Sequence, residues 1–186
     1  MSGVGVLALQ GAFVEHEKAL ADLGAESFEI RKASDLDLNP DALIIPGGES
    51  TVMGKLIRDL GMYDRIKAMI QGGTPVFGTC AGMIMLAQDV EGGITHLGTM
   101  PIAVRRNAYG RQLGSFSATA PFADKGEIPL EFIRAPAVTS VSEGVQVLAT
   151  VDSVPVAVRY GNQLATAFHP EFTSDRTVHR YFLDMI

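Results

Sequence analysis

Pro75-Val76-Phe77-Gly78-Thr79-Cys80-Ala81-Gly82-Met83-Ile84-Met85-Leu86-Ala87-Gln88 is the stretch on which the reading of this chain turns. A short apolar strand meets a glycine-rich turn, and an apolar helix follows at once, read over residues 83–88. The turn is Gly-x-Cys-x-Gly, the cysteine form of a nucleophile elbow. A strand that turns directly into a helix forces its middle residue into strained backbone geometry and brings neighbouring segments close. The flanking positions must then lack a Cβ. Cys80 would project over the C-terminal edge of a sheet, where α/β folds bind ligands. The helix N-terminus favours a thiolate, and the Ala81 N–H would point to where an oxyanion forms. A buried structural cysteine in a tight turn is the competing reading.

Outward from this elbow, the first half alternates strand and helix. Residues 4–9 form an almost wholly apolar run, as in a strand buried on both faces. Residues 12–23 read as a helix with Phe13, Leu20 and Leu23 apolar and Glu15, His16, Glu17 and Lys18 polar. Strands follow at 28–32 and 42–45, and helices at 51–60 and 63–70. The second half places strands at 102–104, 116–119, 130–133, 145–148, 154–159 and 164–168, without long helices between them. Tyr160-Gly161-Asn162-Gln163 is a hairpin turn. A last helix, 175–185, has Thr173 or Ser174 as its expected N-cap. The order predicts one α/β domain over residues 1–186, a three-layer sandwich whose central sheet is mostly parallel with an antiparallel extension.

Composition excludes several classes. The 186 residues are 47% hydrophobic and 19% charged, which describes a globular chain. The net charge of −6 leaves no basic face for nucleic acid. No apolar run approaches the roughly 18 residues of a membrane span. The N-terminal stretch has no basic region or cleavage site, so the expected location is the cytoplasm. One cysteine permits no internal disulfide.

Two other segments complement the elbow. Phe168-His169-Pro170-Glu171-Phe172 ends the last strand and offers a base, His169, with an orienting carboxylate, Glu171. Pro170 is expected to hold the backbone extended between them. Pro46-Gly47-Gly48-Glu49-Ser50-Thr51 lies between a strand and a helix. Its glycines would let a backbone N–H approach a substrate, as the other half of an oxyanion hole. An ordinary turn capped by Ser50 is the alternative. Arg134 is a candidate to receive a substrate carboxylate. His16, His96 and His179 read as surface or internally satisfied histidines. A Cys/His/Glu zinc site lacks partners, so no metal is expected.

Gly78-Thr79-Cys80-Ala81-Gly82 together with His169-Pro170-Glu171 resembles the class I (triad) glutamine amidotransferases, a flavodoxin-like fold family. Six further segments narrow the resemblance to the glutaminase subunits of pyridoxal 5′-phosphate synthase. They are Val6–Ala12, Leu43–Thr51, Arg106-Asn107, Tyr109–Gln112, Phe132–Pro136 and Phe168–Glu171. The resemblance implies that Cys80 is nucleophile, His169 base and acid, and Glu171 orienter. It implies that Gly48, Glu49, Ser50, Arg106, Ile133 and Arg134 contact glutamine, with Gly48 and Ala81 forming the oxyanion hole. The implied partners are L-glutamine and a synthase subunit in a hetero-oligomeric complex, which builds the vitamin from a pentose and a triose phosphate. Gln10 would lie near that contact. No cofactor is implied. Another amidotransferase's glutaminase, a stand-alone cysteine hydrolase and a non-catalytic scaffold are the competing functions. One departure is Gly54 early in the helix after Ser50, where a better helix former is expected.

Overall fold

The computed structural model describes residues 3–108 and 114–186; the Tyr109–Gln112 segment quoted above lies outside the described residues. In chain order the first half comprises β1 (Val4–Leu7), α1 (Phe13–Asp22), β2 (Ser27–Ile30), β3 (Ala42–Ile45), α2 (Ser50–Asp59), α3 (Tyr63–Gln71), β4 (Val76–Thr79) and α4 (Ala81–Leu86). The second half comprises β5 (Ala87–Glu91), β6 (Met100–Arg105), β7 (Ser115–Pro121), β8 (Glu127–Ile133), β9 (Ala137–Val141), β10 (Gln146–Val151), β11 (Val154–Tyr160), β12 (Gln163–Thr166) and α5 (Thr177–Leu183).

Seven strands form the central sheet in the order β10-β11-β12-β4-β3-β1-β2. β2, β1, β3, β4 and β12 are parallel to one another, while β11 and β10 continue the sheet antiparallel. β1, β3, β4 and β12 are buried throughout, because helices cover both faces of a parallel sheet. Alternation along β4 assigns the faces. Phe77 packs edge-on against His16 of α1 and His179 of α5, and also contacts Phe182. Gly78, the next residue, turns the other way, against Gly82 and Leu86 of α4. This is the expected mixed α/β sandwich with a large, mostly parallel central sheet.

Only two of the later strands before β12 extend the main sheet. β5, β6 and β9 make a separate three-stranded sheet, and β7 with β8 an antiparallel pair. The helix expected over 83–88 lies two residues earlier, and Ala87 and Gln88 belong to β5, which pairs in parallel with β6. The β7–β8 pair is joined to the sandwich through aromatic rings. Phe116 stacks on Phe132 across the ladder, and Phe132 meets Phe168 edge-on at 5.9 Å. The α5 N-cap is Arg176, neither Thr173 nor Ser174; Asp175 Oδ1 instead accepts from the Thr177 N–H at 2.8 Å. No helix among the described residues is long and apolar enough to cross a membrane.

Candidate active site

β4 and β12 run side by side, with Thr79 opposite Thr166, so both segments that follow them leave the same edge of the sheet. Cys80 leaves first. Its N–H donates to the Thr166 carbonyl at 2.8 Å, and its backbone turns to φ 51°, ψ −102°. That conformation costs a non-glycine residue about 1–3 kcal/mol and needs surrounding structure to hold it. The flanking glycines supply that structure. A Cβ on Gly82 would sit 2.1 Å from the Ile45 carbonyl oxygen, and one on Gly78 would sit 2.6 Å from the Gly82 backbone. The elbow closes only because both are bare. α4 has six residues, so its macrodipole is small, and the unpaired N–H groups of its first turn contribute more to the local field.

His169 arrives from β12. Its N–H donates to the Glu131 carbonyl on β8 at 2.7 Å, and its Nδ1 lies 2.6 Å from Glu171 Oε1. Pro170 does not hold the chain extended. It opens a 3-10 turn, Pro170–Phe172, a first-turn position its missing N–H suits. In a strand the two residues would stand about 6.6 Å apart along the axis; the turn folds the carboxylate back onto the ring. Nδ1 being engaged, Nε2 is the ring nitrogen left for Cys80, which lines the same cleft and is close enough to raise the His169 pKa. Burial alone would lower the His169 pKa. The hydrogen bonds with Cys80 and Glu171, and the negative charge at both, push it up to about 10. The imidazolium therefore persists at neutral pH. Cys80 Sγ also lies 3.8 Å from the Ile133 carbonyl.

These groups floor a cleft of about 970 Å³ whose lining includes Gly48, Glu49, Ser50, Ala81, Arg106, Ile133 and Arg134. Every sequence-identified residue except Glu171, which lies behind His169, therefore faces one cavity. Within it Arg106 pairs with Glu49 at 2.9 Å, whereas the Arg134 guanidinium has no side-chain partner among the described residues. Arg134 also holds φ 46°, a strain that clusters at ligand sites. Glu49, not Ser50, caps α2, accepting from the Thr51 N–H. The Gly47-Gly48 pair is closely packed. A Cβ on Gly47 would lie 2.3 Å from the His169 ring, and one on Gly11 would lie 1.8 Å from the Gly47 oxygen. The Gly47 carbonyl accepts from the Ala12 N–H at 3.0 Å. The planar trans peptide then turns the Gly48 N–H the opposite way.

Some roles at the site escaped the reading of the sequence. Phe172 packs against His169 with the rings tilted and their centres 5.0 Å apart, and lines the cleft. Gln10 lines it too and accepts from the Glu49 N–H at 2.8 Å. None of His16, His96 and His179 is on the surface; all three are buried. His16 belongs to the apolar stripe of α1, three residues after Phe13 and four before Leu20, a spacing that could have revealed it. Among the described residues no three His, Cys, Asp or Glu side chains converge on a possible metal position.

Comparison with known proteins agrees across the whole chain. Residues 6–186 match the model of the SNO glutamine amidotransferase family. The pyridoxal 5′-phosphate synthase subunit PdxT of Methanocorpusculum labreanum is 61% identical over 98% of this chain and 97% of its own length. The subunit of the same name from Desulfitobacterium hafniense is 50% identical over 98% of this chain and 92% of its own. A solved glutamine amidotransferase superposes with a TM-score of 0.94 at 46% identity, covering 99% of this chain and 98% of that one. PurLQS from Thermotoga maritima shares the fold, with a TM-score of 0.72 at 17% identity, covering 99% of each chain.

Proposed function

Because the chain belongs to the SNO glutamine amidotransferase family, we propose that it is the glutaminase subunit of a pyridoxal 5′-phosphate synthase, hydrolysing L-glutamine and delivering the ammonia to a synthase subunit. The observation that carries this reading is the cleft in which Cys80 meets a His169 already bonded to Glu171. The whole chain, residues 1–186, acts as one domain in this reading.

Glutamine enters with its side-chain amide over Cys80 and its α-carboxylate toward Arg134, which among the described residues is the cleft arginine not paired with Glu49. The thiolate attacks the amide carbon. The oxyanion is held by the N–H groups of Ala81 and Gly48, where losing one donor typically costs about 10²–10³ in rate. The imidazolium of His169 gives its proton to the leaving nitrogen, the C–N bond breaks, and ammonia departs. A γ-glutamyl thioester remains on Cys80. Neutral His169 then takes a proton from water, which attacks the thioester, and glutamate leaves as the thiol is restored. Glu171 steadies the charge on His169 throughout. No cofactor takes part.

Ammonia released into water would mostly protonate and lose its nucleophilicity, so the reaction gains from docking on the enzyme that consumes it. Gln10, which ties the Glu49 N–H at the cleft, is the residue through which docking would reach the Gly47-Gly48 peptide. The isolated chain is accordingly a poor glutaminase. Glutamate release is to be measured with and without the synthase subunit, for wild type and Cys80→Ala. The expected result is a large rise on docking in the wild type and none in the variant. Equal wild-type rates in both states would overturn docking activation, and a fully active Cys80→Ala would overturn the triad.

A further inference from the structure

Behind the triad lies a second tier of buried polar groups that the reaction above does not use. Glu171 gives Oε1 to His169, while its Oε2 meets no hydrogen-bond partner among the described residues. A buried carboxylate held by one donor is costly and poorly fixed in orientation. The nitrogen facing it from α1 is Nε2 of His16, 3.7 Å from Oε1 and 3.1 Å from the Thr79 hydroxyl oxygen. His16 is fully buried, and its Nδ1 lies 2.9 Å from Nε2 of His179 on α5. It does not line the cleft.

Two proton arrangements are open to this pair. In the first, His179 donates from Nε2 to Nδ1 of His16, and His16 carries its own proton on Nε2, toward Thr79 and Glu171. In the second, His16 donates from Nδ1 and turns a bare Nε2 lone pair on the Glu171 carboxylate. His179 must then carry its proton on Nδ1, a buried atom with no partner. In the second the Thr79 hydroxyl can still donate to Nε2, but the His179 N–H is stranded; the first leaves only an unused lone pair. Orphaned buried N–H groups are the rarer defect, so the first arrangement prevails. Both rings are neutral, since burial lowers the pKa of each, reinforced by His179 and His169 at His16 and by Arg176 at His179.

We infer that His16 is a positioning residue for the triad: its Nε2–H, fixed in that tautomer by His179, keeps the Glu171 carboxylate turned toward His169. The same nitrogen contacts Thr79, the residue before Cys80, and so references the carboxylate to the strand that carries the nucleophile. This role rests on the glutaminase reading of Cys80, His169 and Glu171.

Glutamine and asparagine separate the two ring nitrogens. A glutamine amide nitrogen stands as many bonds from Cβ as Nε2 does, and an asparagine amide nitrogen as many as Nδ1. His16→Gln therefore keeps a donor toward Glu171, and His16→Asn keeps only the side facing His179. In the assembled synthase complex, His16→Gln is expected to stay near the wild-type kcat. His16→Asn should lose about ten- to a hundredfold in kcat with KM for glutamine unchanged, the scale on which orienting partners act at other sites. Both variants remove one buried ring and should lose comparable thermal stability. Equal kcat in the two, or a loss confined to KM, overturns the inference. A second readout needs no turnover: the far-downfield proton resonance of the His169–Glu171 hydrogen bond should persist in His16→Gln and broaden away in His16→Asn. An unchanged resonance in His16→Asn overturns the inference. A wild-type complex that releases no glutamate would instead overturn the glutaminase reading and leave the resonance test standing.

Discussion

His169 and the His16–His179 pair titrate in opposite directions, and the difference sets how stability depends on pH. Folding raises His169 from 6.5 to about 10, so the folded chain holds a proton that the unfolded chain loses. That contribution is complete below pH 6.5 and is lost as pH rises through about 10. Folding lowers His179 from 6.5 to about 3 and lowers His16 in the same direction. The unfolded chain then binds protons that the folded chain refuses, and stability is lost as pH falls from 6.5 toward about 3. Each proton contributes a slope of about 1.4 kcal/mol per pH unit. Urea midpoints taken across this range should therefore peak between the two limbs. His169→Gln should flatten the alkaline limb and His179→Phe the acid one. An alkaline limb unchanged by His169→Gln would show that the imidazolium is not stabilised by folding. Of these three histidines, His169 was legible because His-Pro-Glu is a local pattern. His16 and His179 were not, since their partners are 163 residues apart and only packing brings them together.

Among the elements, α2 separates propensity from packing. Gly54 reads as a weakness worth about 1 kcal/mol in a helix interior. In the structure its bare Cα is where the buried His96 ring packs, and a Cβ there would lie 2.1 Å from His96 Nδ1. Overpacking costs typically about 1–3 kcal/mol, which exceeds the propensity gain. Gly54→Ala should therefore lower the unfolding midpoint, and Gly54→Ala combined with His96→Ala should recover part of the loss. A stabilised single variant would contradict this packing. Similar competition decided which elements could be read. β1, β3 and β4 are apolar on both faces and bounded by Gly, Pro or Asp, so they were visible. β5 was hidden because Leu86-Ala87-Gln88 are good helix formers, and its strand is imposed by pairing with β6. β9, just after Pro136, pairs with β6 through an irregular register and carried no clear alternation.

For the whole molecule, the sandwich serves to bring distant residues to one sheet edge. The parallel β4–β12 pair delivers Cys80 and His169 together, a juxtaposition readable from two strand-end motifs. The separate β7–β8 pair delivers Ile133 and Arg134 to the same cleft. That pair was expected as part of one sheet, because strand patterns show which residues alternate but not which ladder they join. The central claim is that Cys80 carries the glutamyl group between the two halves of the reaction. Its most direct test is acid quenching of the glutamine-supplied synthase complex during turnover, followed by mass spectrometry of the Cys80 peptide. A γ-glutamyl adduct on Cys80 that accumulates in wild type and is absent in Cys80→Ala is the predicted result. Glutamate released by Cys80→Ala at the wild-type rate would contradict it.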